Sequence, residues 1–308
     1  MNIVINLNKP ENISSQQAVL QVKKLLAARK AGHAGTLDPI ATGVLIVCLN
    51  EATKITRFLS DLDKEYVVRL KFGERTDTYD STGRILEKKD YQAIKEEDIR
   101  YVLNNFTGHI DQTPPMFSAI KVGGKPLYKL ARKGINIERP VRSIHISEIT
   151  LLSFTPPYID LKVTCSKGTY IRTLCEDIGK TLGVGAHMVA LQRTEIGNFR
   201  IEDSISIEEL KHKESAFFSV DFALSHLGEI ILDEDSYRKA RSGIPIIFAK
   251  DNRFSSQAEQ KDEEGLQYQL RINEYVRLKA PDKRLFGIGR IESERIKIER
   301  LLDMSFEK

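Results

Sequence analysis

Residues 32–43, Gly-His-Ala-Gly-Thr-Leu-Asp-Pro-Ile-Ala-Thr-Gly, constrain this chain more than any other stretch. They set one carboxylate, Asp38, and one imidazole, His33, among three glycines and a proline. Glycine opens backbone conformations that other residues avoid. Pro39 fixes its own φ and biases Asp38 toward an extended backbone. The apolar run 44–49 follows at once and reads as a buried strand. The stretch therefore holds one carboxylate at a defined place beside a core. Two readings stand side by side: a turn aspartate that caps the next element, or the acid of a site.

Length and composition narrow the classes. A chain of 308 residues can form one large unit and one small one, each with its own core. The run 44–49 is far too short to span a membrane, and Met1–Asn6 lacks the basic and apolar regions of a signal peptide. A cytoplasmic protein is expected. Cys48, Cys165 and Cys175 form no CxxC pair, and the six histidines form no HxH or HExxH pattern. Neither a disulfide framework nor a metal centre is predicted. No GxxxxGK[ST] or GxGxxG motif is present, so ATP and dinucleotide chemistry are disfavoured and no cofactor is expected.

Net charge is only +4, but its distribution is uneven. Residues 121–142 hold Lys121, Lys125, Lys129, Arg132, Lys133, Arg139 and Arg142 against the single acid Glu138. Lys23, Lys24, Arg29 and Lys30 form a second acid-free cluster. Such clusters are solvated faces or contacts for a phosphate backbone.

Along the chain, residues 2–8 alternate as a short strand. Ser14 and Gln17 form a capping box for a helix with Ala18, Val22, Leu25 and Leu26 on one face. Residues 52–59 read as a second helix. Residues 66–72 alternate with period two, as in a half-buried strand. The stripe Ile99, Val102, Leu103, Phe106 reads as a helix ended by Gly108 near its C′ position. The basic segment 121–142 reads as a long mobile excursion. Two alternating strands, 144–152 and 158–165, flank a Pro-Pro turn, and a helix starts at Tyr170. After residue 228, strand-like runs at 229–232, 244–248, 275–278, 285–291 and 296–302 predict a small all-β unit, with a polar insert at 251–265.

Four stretches, in order, carry a resemblance to one known family. Residues 32–43 resemble the G-H-x-G-x-L-D-P-x-A-[ST]-G motif of the TruB type of tRNA pseudouridine synthase. Lys64-Glu65-Tyr66 resembles its K-x-Y motif, Lys167–Leu174 its K-G-T-Y-I-R-[ST]-L motif, and Leu191-Gln192-Arg193-Thr194 its L-R-R-T segment. The similarity runs nearly end to end. Asn12 stands where the family's N-terminal K-P-x-G turn has glycine, and asparagine is the side chain that best tolerates positive φ. Gln192 stands where arginine is frequent.

The resemblance implies an α+β fold: a central, mostly antiparallel sheet flanked by helices over residues 1–228, and a small RNA-binding β-barrel of the PUA type over 229–308. It implies isomerisation of the T-loop uridine of tRNA (position 55) without cofactor or metal. Asp38 would be the nucleophile, although attack on the base and attack on ribose C1′ both remain open. Arg172 would keep Asp38 ionised. Tyr66 would stack on the flipped base and Leu191 would wall it in. Tyr170 would hydrogen-bond in the site or take the final proton. His33 would fill the space left by the base, and Asp80 would order the site through a charge pair. Lys64 and the excursion residues Lys121, Lys125, Lys129, Arg132 and Lys133 would meet the RNA. Each has a plainer reading: strand aromatic, core tyrosine or histidine, helix-surface arginine, solvated base. The expected partner is the tRNA T-arm stem-loop, with no membrane, no obligate protein partner and a monomeric chain. Rival readings are a tRNA-folding chaperone without catalysis, an RNA-guided synthase subunit, and a base-excising glycosylase.

Overall fold

Hydrophobic periodicity and turn chemistry build the elements in order. The computed structural model describes residues 1–118, 120–135, 137–212, 215–247 and 272–303. Strand β1 (Val4–Lys9) is followed by a turn at Asn12, whose φ is +67°. Helix α1 (Ser15–Leu25) begins on the expected capping box, with Ser14 Oγ accepting from Gln17 N–H. Strand β2 (Ala31–His33) leads into the glycine-rich turn, and β3 (Thr42–Leu49) leaves it. The second expected helix is instead a 3₁₀ turn, Asn50–Ile55, that relaxes into a short α2 (Thr56–Ser60). Threonine hydroxyls at 53 and 56 bond back to main-chain carbonyls three residues earlier, which favours the tighter coil.

Strands β4 (Lys64–Phe72), β5 (Glu74–Thr76) and β6 (Ile85–Lys88) precede helix α3 (Glu96–Asn104). Helix α3 ends at Asn105, so Gly108 is not its C′ residue. Gly108, at φ +94°, opens β7 (Gly108–Gln112) instead. The basic excursion contains a hairpin of β8 (Lys121–Val122) and β9 (Lys125–Pro126) and one turn of helix, α4 (Leu127–Ala131). It stops short of Arg142, which is the first residue of β10 (Arg142–Thr155) and pairs with Gln112. Strand β11 (Tyr158–Cys165), helix α5 (Ile171–Thr181) and strand β12 (Ala186–Ile196) complete the site-bearing elements. Strands β13 (Phe199–Arg200) and β14 (Phe217–Phe218) and the single helical turn α6 (Val220–Ala223) close this part.

The large sheet runs β14-β1-β3-β12-β4-β11-β10-β7, with β2 on β3 and β13 on β12. All its pairings are antiparallel except β3 with β12, where Gln192 meets Thr42 and Arg193 meets Gly43. The expected mostly antiparallel sheet is therefore present. The parallel contact brings two motifs 150 residues apart in sequence, at Gly43 and Arg193, side by side. One core packs the α1 side of the sheet, with Val19, Val22, Leu45, Val68, Leu70 and Leu161 among its buried residues.

The C-terminal strands β15 (Gly228–Ile231), β16 (Ile246–Ile247), β17 (Tyr275–Lys279), β18 (Leu285–Ile291) and β19 (Arg295–Leu301) lie close to the predicted runs. Their sheet order is β15-β17-β18-β19-β16. This unit is not all-β: helix α7 (Glu234–Arg241) lies between β15 and β16, capped by Asp233. Its polar, charged sequence hid it among strands, since only Ala240 of the helix is buried. Leu285, Ile288 and Leu302 pack in one cluster with Val44, Ile46 and Phe58, so the small sheet shares a core with the large one. The expected insert at 251–265 lies outside the described residues.

Candidate active site

The turn after β2 is tied down on both neighbours of Asp38, and buried Lys9 and Arg193 brace the chain farther out. Buried Ser15 makes a reciprocal pair with Leu37: Leu37 N–H donates to Ser15 Oγ at 2.8 Å, and Ser15 Oγ donates to the Leu37 carbonyl at 3.0 Å. On the other flank, the Pro39 carbonyl accepts from Asn12 N–H at 2.8 Å. Lys9, fully buried, reaches the Pro10 and Ile13 carbonyls at 2.7 and 2.8 Å. Burial pushes its ammonium down to about 8, against the pull of Asp38. Beneath the turn, buried Arg193 donates from Nε to the Val44 carbonyl at 2.8 Å and from Nη2 to the Gly35 carbonyl at 3.1 Å. Gly43 has φ +98°, and a Cβ there would collide with the Arg193 main chain. Only glycine lets β3 and β12 approach this closely.

Asp38 faces Arg172. Nε of Arg172 lies 2.8 Å from Oδ2 and Nη2 lies 3.1 Å from Oδ1, a two-point fork on one carboxylate. Arg172 is 5% exposed, so its other donors also need partners. Nη2 donates to the Phe117 carbonyl at 2.8 Å and Nη1 to the Thr78 carbonyl at 3.2 Å. Asp80 Oδ2 stands 3.6 Å from Nη1. Oδ1 of Asp80 is itself held by the Thr78 and Thr82 hydroxyls and by Thr82 N–H. Burial raises the Asp38 carboxyl above the usual aspartate value, Arg172 pulls it back, and the like charge of Asp80 adds to the rise.

A cleft of about 860 Å³ opens over this pair, large enough for a nucleotide and its neighbours. His33, Tyr66, Asp80, Tyr170 and Leu191 line it together with Asp38 and Arg172. Tyr66 on β4 pairs in register with Arg193 on β12, and Val68 pairs with Leu191, so Tyr66 and Leu191 share one face of the sheet. Both are buried, at 8% and 7% exposure. Burial pushes the Tyr66 phenol up, and Arg193 pulls it down. The Tyr170 phenol is also raised by burial. His33 Nδ1 is buried without a hydrogen-bond partner. Burial, and after it Arg193, lowers the imidazole, which keeps it neutral at neutral pH.

The sequence-predicted basic residues divide into two groups. Lys64 lines the cleft but is 6% exposed, and its Nζ donates to the Ser60 carbonyl at 2.6 Å and to the Leu62 carbonyl. It ties the end of α2 to β4, and burial pushes it down to about 8. Lys125, Lys129, Arg132 and Lys133 are exposed on the excursion, and none has a carboxylate partner among the described residues. Arg132 also lines the cleft, with its guanidinium 5.6 Å from the centre of the Tyr128 ring. Lys121 lies in β8, and its side chain is outside the described structure. Sequence reasoning missed Ser15, Lys9 and Gln112. The only available signals were the hydroxyl beside the cap and the Lys-Pro turn.

Two family models match the chain: the TruB family pseudouridylate synthase N-terminal domain over residues 23–171, and the tRNA pseudouridylate synthase B C-terminal domain over residues 172–236. The chain belongs to the TruB family of pseudouridylate synthases. The tRNA pseudouridine synthase B of Clostridium tetani is 44% identical, with 98% of this chain and all of that protein aligned. That of Haemophilus influenzae strain PittEE is 39% identical over 98% of this chain and 95% of that protein. Among solved structures, a chain of a Cbf5-Nop10-Gar1 complex superposes with a TM-score of 0.73 at 26% identity, covering 97% of this chain and 84% of that one. A chain of an H/ACA RNP bound to a substrate RNA containing 2′-deoxyuridine superposes at 0.71 with 23% identity, which speaks for a shared fold. The boundary between the two TruB family models falls inside helix α5, between Ile171 and Arg172, so the site is built from both matched segments. Among the described residues, no helix is long and apolar enough to cross a membrane.

Proposed function

We propose that this chain isomerises the T-loop uridine of tRNA, at position 55, to pseudouridine, with Asp38 as nucleophile. The observation that carries the reading is the Arg172 fork on Asp38 at the floor of the cleft. The names of relatives aligned over nearly the whole chain support the reaction and the RNA.

The reaction breaks the bond between ribose C1′ and uracil N1, turns the base, joins C1′ to C5, and loses the C5 proton while N1 gains one, so the atoms balance. It consumes no redox equivalent and no nucleotide. A buried, forked guanidinium favours the carboxylate form of Asp38, which is the form that attacks. Extracting the base from a stacked loop costs a few kcal/mol. The Tyr66 ring offers a stacking face, and Leu191 a wall that excludes water. A protonated phenol cannot accept a proton, and burial keeps Tyr170 protonated. Of its two expected roles, its surroundings support hydrogen bonding to the substrate. Asp80 completes the charge balance around Arg172, and neutral His33 is shaped to fill the space of the departed base. The excursion bases Lys125, Lys129, Arg132 and Lys133 would neutralise phosphates of the T-arm, with Lys121 beside them. Lys64 would act at the cleft wall. Residues 1–228 form the catalytic unit in this reading, and 229–308 add a PUA-like RNA-binding unit. The chain works in the cytoplasm as a monomer, without a guide RNA or protein partner.

The test is a T-arm stem-loop incubated with the chain alone, followed by pseudouridine detection. Wild type converts it, whereas Asp38→Asn binds the RNA and loses at least about 10³-fold in rate. Full activity in Asp38→Asn would sink the reading. Release of free uracil would assign the site to a glycosylase instead.

A further inference from the structure

The segment leaving β7 is tied to the catalytic arginine in two ways. Gln112, the last residue of β7, is 2% exposed. Its carboxamide meets the main chain of Tyr170 at two points. Nε2 donates to the Tyr170 carbonyl at 3.1 Å, and Tyr170 N–H donates to Oε1 at 2.7 Å. Tyr170 is the N-cap of α5, and its own side chain makes no capping bond. A helix start without a side-chain cap leaves its first turn to be fixed by outside partners. Arg172 sits in that turn. Five residues beyond Gln112, the Phe117 carbonyl accepts from Arg172 Nη2 at 2.8 Å. Between these points lie Pro114 and Pro115, which stiffen the path, and the Pro114 carbonyl accepts from Arg139 Nη1 at 3.1 Å. One short strap therefore grips both the main chain at the start of α5 and the guanidinium that projects from it.

We propose that Gln112 is a positioning residue for the isomerisation: by fixing the first turn of α5 it aims Arg172 at Asp38 and sets the Tyr170 ring in the cleft. Gln112 is absent from the cleft lining, so it acts through these two residues. The proposal rests on the reading of Asp38 as nucleophile. A residue that only packed would affect folding and leave the electrostatics of Asp38 alone. One that aims the guanidinium changes how readily Asp38 ionises. The groups facing Asp38 are Arg172 from α5, Asp80 from the turn after β5, and Lys9 from β1. Substitution at Gln112 alters none of them chemically.

The experiment uses the full chain and the T-arm stem-loop, with single-turnover rates followed over about pH 5–9 beside RNA affinity and thermal midpoint. Gln112→Glu keeps the shape but sets a carboxylate oxygen against the Tyr170 carbonyl. Gln112→Met keeps most of the volume without the hydrogen bonds. Both are expected to slow turnover by about 10–100-fold with RNA affinity held within about twofold. In Gln112→Met the acid limb of the rate moves to higher pH, because a misaimed Arg172 no longer favours the carboxylate; the added charge of Gln112→Glu pushes the limb the same way by itself, so the uncharged variants decide this point. Gln112→Asn, which keeps the amide but shortens its reach, lies between these variants and wild type. Folded variants with wild-type rate and an unmoved acid limb overturn the proposal. So does a rate loss that follows the thermal midpoint while the limb stays in place. If Gln112→Met does not fold, the same two outcomes in the uncharged Gln112→Asn decide. Failure of the underlying reading is separate: it appears as an active Asp38→Asn.

Discussion

The turn that carries Asp38 and the basic excursion at 121–141 border the same cleft and are built on opposite rules. In the turn, Ser15, Asn12 and Arg193 hold the main chain on both sides of Asp38, and every charge near it faces a partner. In the excursion, Leu127 is buried, and local hydrogen bonds such as Arg132 N–H to the Tyr128 carbonyl at 3.1 Å are joined by a longer tie from Arg139 Nη1 to the Pro114 carbonyl. Lys125, Lys129, Arg132 and Lys133 face solvent without carboxylate partners among the described residues. The difference fits the physics of the task proposed for each. A nucleophile tolerates little displacement, because a reacting atom misplaced by about 1 Å can cost about 10²-fold in rate. Phosphate neutralisation works over roughly a Debye length, about 8–10 Å, and needs charge more than fixed geometry.

The comparison breaks most sharply at Arg172. Arg172→Ala should remove the fork and leave Asp38 and Asp80 facing each other without a cation. Losing one member of a buried charge network costs roughly 3–5 kcal/mol, which urea unfolding would register, and turnover should fall at least about 10²-fold. A stable, active Arg172→Ala would mean that the turn alone defines the site. The next largest effect is expected in the excursion. Changing Lys125, Lys129, Arg132 and Lys133 together to glutamine should weaken T-arm binding about tenfold or more at moderate salt. The slope of log K against log salt should flatten by roughly 0.7–0.9 for each phosphate that is no longer neutralised. The single-turnover rate at saturating RNA should barely change. A rate loss at saturation with an unchanged salt slope would show that the excursion belongs to the chemistry.

The smallest expected effect is in pH, and its sign is fixed by the neighbours of Asp38. In the proposed reaction the carboxylate form attacks, so the rate is expected to fall as pH drops through the Asp38 value. Burial and the like charge of Asp80 hold that value above the roughly 3.9 of an exposed aspartate, so the loss begins at higher pH than free aspartate would give. Asp80→Asn removes the like charge and should move the limb to lower pH, as read from single-turnover rates with RNA binding measured in parallel. A limb that moves upward would show that Asp80 acts chiefly by orienting Arg172.

Much of the large sheet was legible because period-two alternation survives in β4 and β11, where one face is buried and the other is not. The C-terminal strands were legible for the same reason. Helix α7 was not, since its charged sequence offers almost no apolar stripe to read. The end of α3 was misread because Gly108 supplies a positive φ to the start of a strand, and glycine marks that conformation without saying which element needs it. Among the site residues, Asp38, Tyr66, Arg172 and Leu191 came from motifs. Ser15 and Gln112 act through hydrogen bonds to residues 22 and 58 positions away, which no local pattern encodes.

By itself the sequence determined that residues 32–43 form a constrained turn with one acid beside a buried strand, because glycine and proline act on local dihedrals. It also determined that the excursion is basic, because charge is additive along a chain. Only the tertiary structure decided that this acid is forked by Arg172 in the cleft. That pairing depends on β3 lying parallel to β12 and on α5 starting where Gln112 holds it. It also decided that Lys64, read from its motif as an RNA contact, turns its ammonium to main-chain carbonyls at the end of α2. Burial leaves a cation few partners but backbone oxygen, and burial is a property of the assembled fold.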